Sequence, residues 1–142
     1  LGFVESGKKD GANLAAGGER VGNKGYFVQP TVFADVAPTA RIFREEIFGP
    51  VVSVLKFSSF DDLIEKANST IYGLASAVWT RDVQKALTFA KKIKAGTCWV
   101  NTYGLFDAAI PFGGYKQSGI GRDNGWAALE GYLQEKSVWV QL

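Results

Sequence analysis

Residues 51–101 read VVSVLKFSSFDDLIEKANSTIYGLASAVWTRDVQKALTFAKKIKAGTCWVN, and this stretch decides the predicted fold. Three of its segments are largely apolar, as buried strands are, and they span residues 51–57, 74–79 and 97–101. The segments between them carry apolar residues at helical spacing. Strands that alternate with helices in this order predict an α/β fold with a parallel sheet and right-handed crossovers.

Both predicted helices have recognisable ends. Ser58 and Ser59 are candidate N-caps of the first helix, whose apolar residues are Phe60, Leu63, Ile64 and Ala67. Thr80 or Asp82 starts the second helix, whose apolar stripe comprises Val83, Ala86, Leu87, Ala90 and Ile93. Gly96 has the position of a residue that ends a helix.

The flanking segments complete the expected layout. Residues 14–25 are rich in glycine and predict a turn or hairpin that leads into an element over 26–36. A last helix is expected near residues 126–133 and a final strand over 137–142. Because that strand is apolar on both faces, we expect it to pair with another element or subunit and to be covered on both.

Composition restricts the class of protein. The chain has 142 residues, 46% hydrophobic and 21% charged, as in an ordinary globular protein. Its net charge of +2 gives no argument for nucleic acid binding, and no apolar run reaches the length of about 18 residues that a membrane-spanning helix needs. The chain starts at Leu1 and contains no methionine, so we expect a piece of a longer protein.

Few side chains of this chain can perform catalysis. Histidine is absent, so neither a His-based triad nor a His-ligated metal site is expected. The single cysteine, Cys98, lies among apolar strand residues and is predicted to be a buried structural thiol, which also fits a reducing compartment. The glycines of residues 111–122 match neither a P-loop nor a dinucleotide fingerprint, so tight turns are one explanation of that segment.

Two segments stand out as candidates for binding. Residues 45–51 read EEIFGPV, and residues 111–122 read PFGGYKQSGIGR, a glycine-rich loop that could approach a ligand or another chain closely. In the first segment, Glu46 can accept hydrogen bonds from both vicinal hydroxyls of a ribose. The alternative for Glu46 is an ion pair with Arg41 or Arg44.

These strings resemble the NAD(P)-dependent aldehyde dehydrogenase family. The chain also contains GYFVQPTV at 25–32, GLA at 73–75, AGT at 95–97 and WVN at 99–101, in the family's order. The resemblance runs along almost the whole chain and covers only the C-terminal part of that enzyme. It implies a Rossmann-like, parallel-sheet part of the catalytic domain over residues 1–135 and an oligomerisation strand over residues 136–142. Asp123 departs from the Glu that the family commonly has after Gly-Arg.

The resemblance implies roles for six residues. Glu46 would hold the nicotinamide ribose, and Phe48 would pack near the nicotinamide ring. The loop over residues 103–112 would line the aldehyde entrance, with contacts from Gly104, Leu105, Phe106 and Phe112; the alternative is that its aromatic residues fill the core. Because this loop is rich in aromatic residues and contains neither Lys nor Arg, it favours an apolar or aromatic aldehyde over a strongly anionic one. No residue matches the family's catalytic Cys, general-base Glu or oxyanion-hole Asn, so the chain alone is expected to be inactive.

The implied function is that of an intact enzyme, which oxidises an aldehyde to a carboxylic acid with NAD or NADP through a thiohemiacetal on cysteine. A small-molecule aldehyde is the implied partner, with no nucleic acid and no membrane. A homodimer or homotetramer is the implied assembly, and the cytoplasm is the implied location, with mitochondria as the alternative. A different class of function stays open, in which the chain is a non-catalytic, truncated relative that acts only in assembly.

Overall fold

The computed structural model describes residues 1–142 and shows a mixed α/β protein. The elements in chain order are α1 (Gly2–Lys9), β1 (Asn13–Ala16), β2 (Thr31–Ala34), α2 (Arg41–Arg44), β3 (Val51–Ser53), α3 (Phe60–Asn68), β4 (Ala75–Val78), α4 (Val83–Lys92), β5 (Thr97–Val100) and α5 (Ala127–Glu130), with a 3-10 turn over Lys116–Ser118. The chain divides into two compact units, Leu1–Thr70 and Ile71–Leu142. None of the helices combines the length and the apolar character that crossing a bilayer requires.

The first unit is built on a three-stranded sheet with the order β1-β2-β3. β1 and β2 run antiparallel and are connected through the glycine-rich residues 14–25, which confirms the predicted hairpin. β2 and β3 run parallel, with α2 between them in the chain. Phe33 of β2 is fully buried and shares a core with Val4 of α1 and Ile42 of α2. Residues that lie far apart along the chain therefore form this core.

Helix α1 is not predicted by any local pattern in the sequence. Its sequence, GFVESGKK, contains two glycines, which are weak helix formers. Packing stabilises the helix instead, because Val4 is buried and a Cβ atom at Gly7 would lie 2.9 Å from atoms of both Phe33 and Ile42. Such an approach of helix to sheet depends on tertiary structure that the local sequence does not specify.

The strand predicted over residues 51–57 is shorter and less buried than expected. β3 ends at Ser53, and the chain beyond it exposes Val54 and Phe57. Val51 and Leu55 pack against the core of the first unit, whereas Val52 faces solvent. Successive strand residues point to opposite faces, and the core covers only one face of this edge strand.

The helix predicted after this strand is confirmed as α3. Ser59 caps it, since its Oγ accepts a hydrogen bond from Asp62 N at 3.1 Å. The apolar stripe of α3 is less buried than expected for a core helix: Phe60, Leu63 and Ile64 are half-buried and Ala67 is exposed.

The second unit centres on β4 and β5, which pair in parallel from Ala75–Thr97 to Val78–Val100. The connecting helix α4 begins at the predicted cap, Asp82, whose side chain accepts from Lys85 N at 3.0 Å. Its buried residues are Ala86 and Phe89, followed by Ile93, whereas Val83 and Leu87 of the predicted stripe are exposed. The parallel pairing is confirmed, but β3 and β4 belong to two separate sheets instead of one.

Three predictions for the second unit are wrong in detail. α4 ends at Lys92 and Ile93 has an extended backbone, so Gly96 does not end the helix. α5 is a single short turn, Ala127–Glu130, in place of a helix over 126–133. Within this chain no strand forms over 137–142, whose residues are all exposed, because a strand requires backbone hydrogen bonds to a partner strand; pairing of the segment with another subunit stays a prediction. The division at residue 135/136 stays a prediction.

Candidate functional site

The loop after α2 presents Glu46 and Phe48 to solvent. Glu45 has an extended backbone, with φ −108° and ψ 150°, and turns the chain out of α2. Ile47 is half-buried and packs against the core of the first unit, so it anchors the loop between its two exposed neighbours. Thr31 N donates to Pro50 O at 2.8 Å and fixes the return of the loop to the sheet.

The two adjacent carboxylates of this loop differ in their partners. Arg41 Nε donates to Glu45 Oε2 at 3.0 Å, which confirms the predicted structural ion pair of Glu45. Arg44 Nε donates instead to Pro38 O at 2.9 Å. The carboxylate of Glu46 takes part in no hydrogen bond or ion pair of the chain, so the predicted alternative, an ion pair of Glu46 with Arg41 or Arg44, is wrong.

Phe48 has a strained backbone and an exposed ring. Its φ of +52° lies in the left-handed region, which a bulky residue adopts at a cost of about 1–3 kcal/mol. Its side chain is 93% exposed, so no packing within the chain offsets this cost. Strain of this kind concentrates at ligand-binding positions, and it makes Phe48 a candidate contact for a flat, apolar group.

The base of this loop is fixed to both neighbouring elements. Arg41 N, at the start of α2, donates to Asp10 Oδ2 at 3.0 Å, and the Arg41 guanidinium lies 4.3 Å from the centre of the Phe3 ring. On the other side, Ser53 Oγ donates to Ile42 O at 2.9 Å and ties β3 to α2. These contacts hold α2, and with it the start of the Glu46 loop, in a defined position.

In the second unit, Asn101 links the ends of β4 and β5. Its backbone N donates to Val78 O at 2.8 Å, its Oδ1 accepts from Thr80 N at 2.8 Å, and its Nδ2 donates to Thr80 O at 2.9 Å. From this point residues 102–106 leave the sheet beyond the carboxyl ends of the two strands. Ligands of open α/β sheets bind at such edges.

The four residues predicted to contact an aldehyde lie in this loop and in the segment after it. Gly104 has φ +75°, and its neighbours Leu105 and Phe106 are exposed, whereas Phe112 is half-buried. The rings of Phe106 and Phe112 meet edge to face, with centroids 5.0 Å apart and planes at 80°. Phe106 is 63% exposed and does not fill the core of this chain.

Trp99 is a buried residue that contacts this loop, and its contact with the loop was not predicted from the sequence. Its side chain is only 9% exposed, and its Nε1 donates to Leu105 O at 2.9 Å. Its ring meets those of Tyr103 and Phe106 edge to face, with centroids 5.0 Å and 5.6 Å away. The sequence alone could have predicted that Trp99 forms a hydrogen bond, because a buried tryptophan usually finds an acceptor for its N–H. Which atom accepts that bond depends on the tertiary structure.

The glycine-rich segment 111–122 folds back on the start of the β4–β5 sheet. Tyr115 N donates to Gly73 O at 2.8 Å, and Gly73 N donates to Ser118 Oγ at 2.9 Å. Arg122 Nη1 donates to Gly114 O at 3.0 Å, and its guanidinium lies 5.4 Å from the centre of the Tyr115 ring. Tight turns and close packing within the chain thus account for this segment.

The same segment fixes the backbone of Phe112. Phe112 and Asp123 exchange two backbone hydrogen bonds, each 2.7 Å long. These bonds involve only main-chain atoms. An Asp at position 123 can therefore form them as well as the Glu that the resemblance leads one to expect.

Cys98, the acidic side chains and Asp62 complete the description of the groups that could carry chemistry. Cys98 lies within β5 as predicted but is half-buried instead of fully buried, with its Sγ 3.9 Å from Trp99 O. No three His, Cys, Asp or Glu side chains cluster closely enough to hold a metal ion. The pKa of Asp62 lies below its usual value because Lys66 donates to its carboxylate.

Comparison with known proteins gives a consistent result. The family model described as "Aldehyde dehydrogenase family" matches residues 1–138. The chain is 54% identical to aldehyde dehydrogenase 1A1 of Gallus gallus, covering all of this chain and 28% of that protein. It is 52% identical to betaine aldehyde dehydrogenase of Brucella anthropi, covering all of this chain and 30% of that protein.

Among solved structures, the NAD+ complex of an aldehyde dehydrogenase from Bacillus cereus matches with a TM-score of 0.93 and 57% identity, over 99% of this chain and 29% of that one. The chain therefore spans less than a third of the length of the relatives that it matches. Since the family model covers all but the last four residues, this chain belongs to the aldehyde dehydrogenase family.

Proposed function

We propose that this chain is the C-terminal part of an aldehyde dehydrogenase that oxidises an aldehyde to a carboxylic acid with NAD or NADP. The observation that carries the proposal is the Glu46 carboxylate, which is exposed, has no partner within the chain and stands two residues from the exposed Phe48 ring. Membership of the family and the coverage of 28% of a relative's length support it.

The EEIFGPV loop fits a nicotinamide nucleotide in its chemistry. A carboxylate with two free oxygens can accept hydrogen bonds from both hydroxyls of a ribose. The exposed ring of Phe48 offers an apolar face to a flat heterocycle. When bound, the nicotinamide accepts a hydride; Glu46 binds and orients its ribose, and Phe48 limits where its ring can lie. A relative from Bacillus cereus is described in complex with NAD+, which favours NAD for this chain.

The loop of residues 103–106, together with Phe112, is proposed to line the entrance for the aldehyde. It follows the carboxyl end of β5, exposes Leu105 and Phe106, and contains neither Lys nor Arg. An apolar or aromatic aldehyde suits this lining, and an anionic one does not. Because the 1A1 and betaine aldehyde relatives are almost equally identical to this chain, overall identity does not choose the substrate, and we expect this loop to contribute to the choice.

We further propose that the intact enzyme is a cytoplasmic homodimer or homotetramer and that residues 136–142 take part in its assembly. The support is their composition, since Val138, Val140 and Leu142 alternate with Trp139 and Gln141 in a segment that is exposed throughout. Neither nucleic acid nor a membrane is proposed as a partner.

The proposal is tested by Glu46→Gln in the intact protein, with Glu45→Gln as the matched control. Loss of one orienting contact should slow single-turnover NADH formation about 10-fold without unfolding the protein. Glu45→Gln removes only an exposed ion pair and should leave the rate unchanged. Equal rates for Glu46→Gln and the unchanged protein would refute the ribose-binding role of Glu46.

A further inference from the structure

We propose that Trp99 is a positioning residue that sets the aldehyde preference of the enzyme from within the sheet. The buried indole contacts the backbone of Leu105 and the ring of Phe106, the two residues proposed above to face the aldehyde. This inference rests on the proposed function, in which the loop after β5 lines the aldehyde entrance.

The hydrogen bond from Trp99 acts on the peptide that joins the two substrate-facing residues. Its acceptor is the carbonyl oxygen of Leu105, which belongs to the peptide unit between Leu105 and Phe106. Fixing that peptide plane fixes the directions in which both side chains leave the backbone. The side chain of Leu105 is exposed and has no ring contact, so the 2.9 Å bond to the sheet is the main constraint on its direction.

Ring contacts extend this hold across the loop. Trp99 meets Tyr103 edge to face on one side and Phe106 on the other, and Phe106 meets Phe112 in the same way. Phe112 is itself fixed by its two backbone bonds to Asp123. Phe106 is therefore supported by one ring from the sheet and one from the glycine-rich segment, and a change in either support moves it.

The backbone of the loop is shaped for this contact. Asn101 has φ +54° and Gly104 has φ +75°, and these two left-handed residues lie between the strand that carries Trp99 and the carbonyl that Trp99 binds. They turn the chain back on itself within six residues. A loop that returns to a buried donor on its own strand has one preferred position, whereas a loop without that donor samples several.

The substitution that isolates this role is Trp99→Phe. It keeps an aromatic ring between Tyr103 and Phe106 but removes the N–H donor. Leu105 is exposed, so water can satisfy its freed carbonyl, and the stability lost comes mainly from the smaller volume of Phe at the buried position of Trp99. The discrimination between a bulky aromatic aldehyde and a short linear one, measured as the ratio of kcat/KM values, should change about 3- to 10-fold, the factor that one neutral hydrogen bond is worth.

The experiment compares three variants of the intact protein. Trp99→Phe tests the inference. Trp79→Phe is the matched control, since Trp79 follows β4 and is exposed. Phe106→Ala tests separately whether the loop contributes to the preference between aldehydes. Each variant is measured for the ratio of kcat/KM values and for amide hydrogen exchange in peptides that cover residues 103–112.

Support requires that Trp99→Phe both changes the ratio and raises exchange in residues 103–112, while Trp79→Phe does neither. If exchange in the loop is unchanged in Trp99→Phe, the inference is overturned, because the indole does not hold the loop. If exchange rises but the ratio changes only in Phe106→Ala, the inference is overturned and the proposed function stands. If the ratio changes in neither Trp99→Phe nor Phe106→Ala, the loop does not contact the substrate, and both this inference and the proposed role of the loop at the aldehyde entrance fall, while the proposed role of Glu46 is unaffected.

Discussion

Gly96 and Gly113 meet backbone to backbone: a Cβ atom at Gly96 would overlap the carbonyl oxygen of Gly113. This contact joins the start of β5 to the segment that carries Phe112. A Cβ atom at Gly113 would likewise lie 2.7 Å from Gly121 O and 2.8 Å from Arg122 Cδ. Gly96 and Gly113 are thus required to be glycine because the chain packs closely on itself at both positions.

Gly96→Ala should therefore destabilise the intact protein. The added methyl group meets backbone, which cannot move aside as a flexible side chain can, so the free energy of unfolding should fall by about 1–3 kcal/mol. Denaturant unfolding measures the change. Gly2→Ala is the control, since nothing lies within 4 Å of its added Cβ atom. Equal stability of the Gly96→Ala and Gly2→Ala variants would contradict the packing argument.

Leu105→Ala should change aldehyde preference with little loss of stability. The side chain is exposed, and the carbonyl that Trp99 holds is still present after the substitution. The ratio of kcat/KM values for a bulky and a short aldehyde should shift, because each altered methylene contact is worth about 1–3 kcal/mol. Leu87→Ala is the control, since Leu87 is another exposed leucine, on α4. A uniform effect on all aldehydes would show that Leu105 does not read substrate.

The 142-residue chain by itself should oxidise no aldehyde. Cys98, its single thiol, lies within β5 and is half-buried, whereas a nucleophilic cysteine requires an accessible, electropositive setting. The measurement is NADH formation by the purified chain with NAD+ and a panel of aldehydes. A signal that disappears in Cys98→Ser would show that this prediction is wrong.

Asp62 should make stability depend on acid pH. Lys66 and Ser58 donate to its carboxylate and lower its pKa from the ordinary value of 3.8. The folded state then binds fewer protons than the unfolded state, so this stabilisation is complete above the ordinary pKa and is lost as the pH falls through the lowered one.

The check on Asp62 is the difference in unfolding free energy between about pH 7 and about pH 3. That difference should be smaller in Asp62→Asn than in the unchanged protein. The matched control is Glu65→Gln on the same helix, because the side chain of Glu65 takes part in no hydrogen bond or ion pair of the chain. The difference in unfolding free energy between the two pH values should be larger in Glu65→Gln than in Asp62→Asn. An identical pH dependence in all three proteins would exclude the contribution of Asp62.

Deletion of residues 136–142 from the intact protein should lower its assembly state. The segment is exposed throughout and includes Trp139, which is 93% exposed. An exposed apolar segment of this kind invites pairing with a strand of another chain. Light scattering measures the mass of the assembly. The same oligomer with and without these residues would place the interface elsewhere.

The sequence by itself determined the kinds and order of the central elements. Helical spacing and the caps Ser59 and Asp82 fixed α3 and α4, and both caps form hydrogen bonds as expected. These signals work because caps and periodicity act within a few residues of chain. The motifs also identified the family from residues that stand in its order.

Only the tertiary structure decided which elements pair and what each side chain meets. The antiparallel strand β1, the separation of β3 from β4 and the half-buried state of Cys98 depend on partners far away in sequence. The absence of an ion pair at Glu46 and the bond from Trp99 to Leu105 are of the same kind. Burial and pairing are settled by the whole set of packed neighbours, which no local pattern specifies.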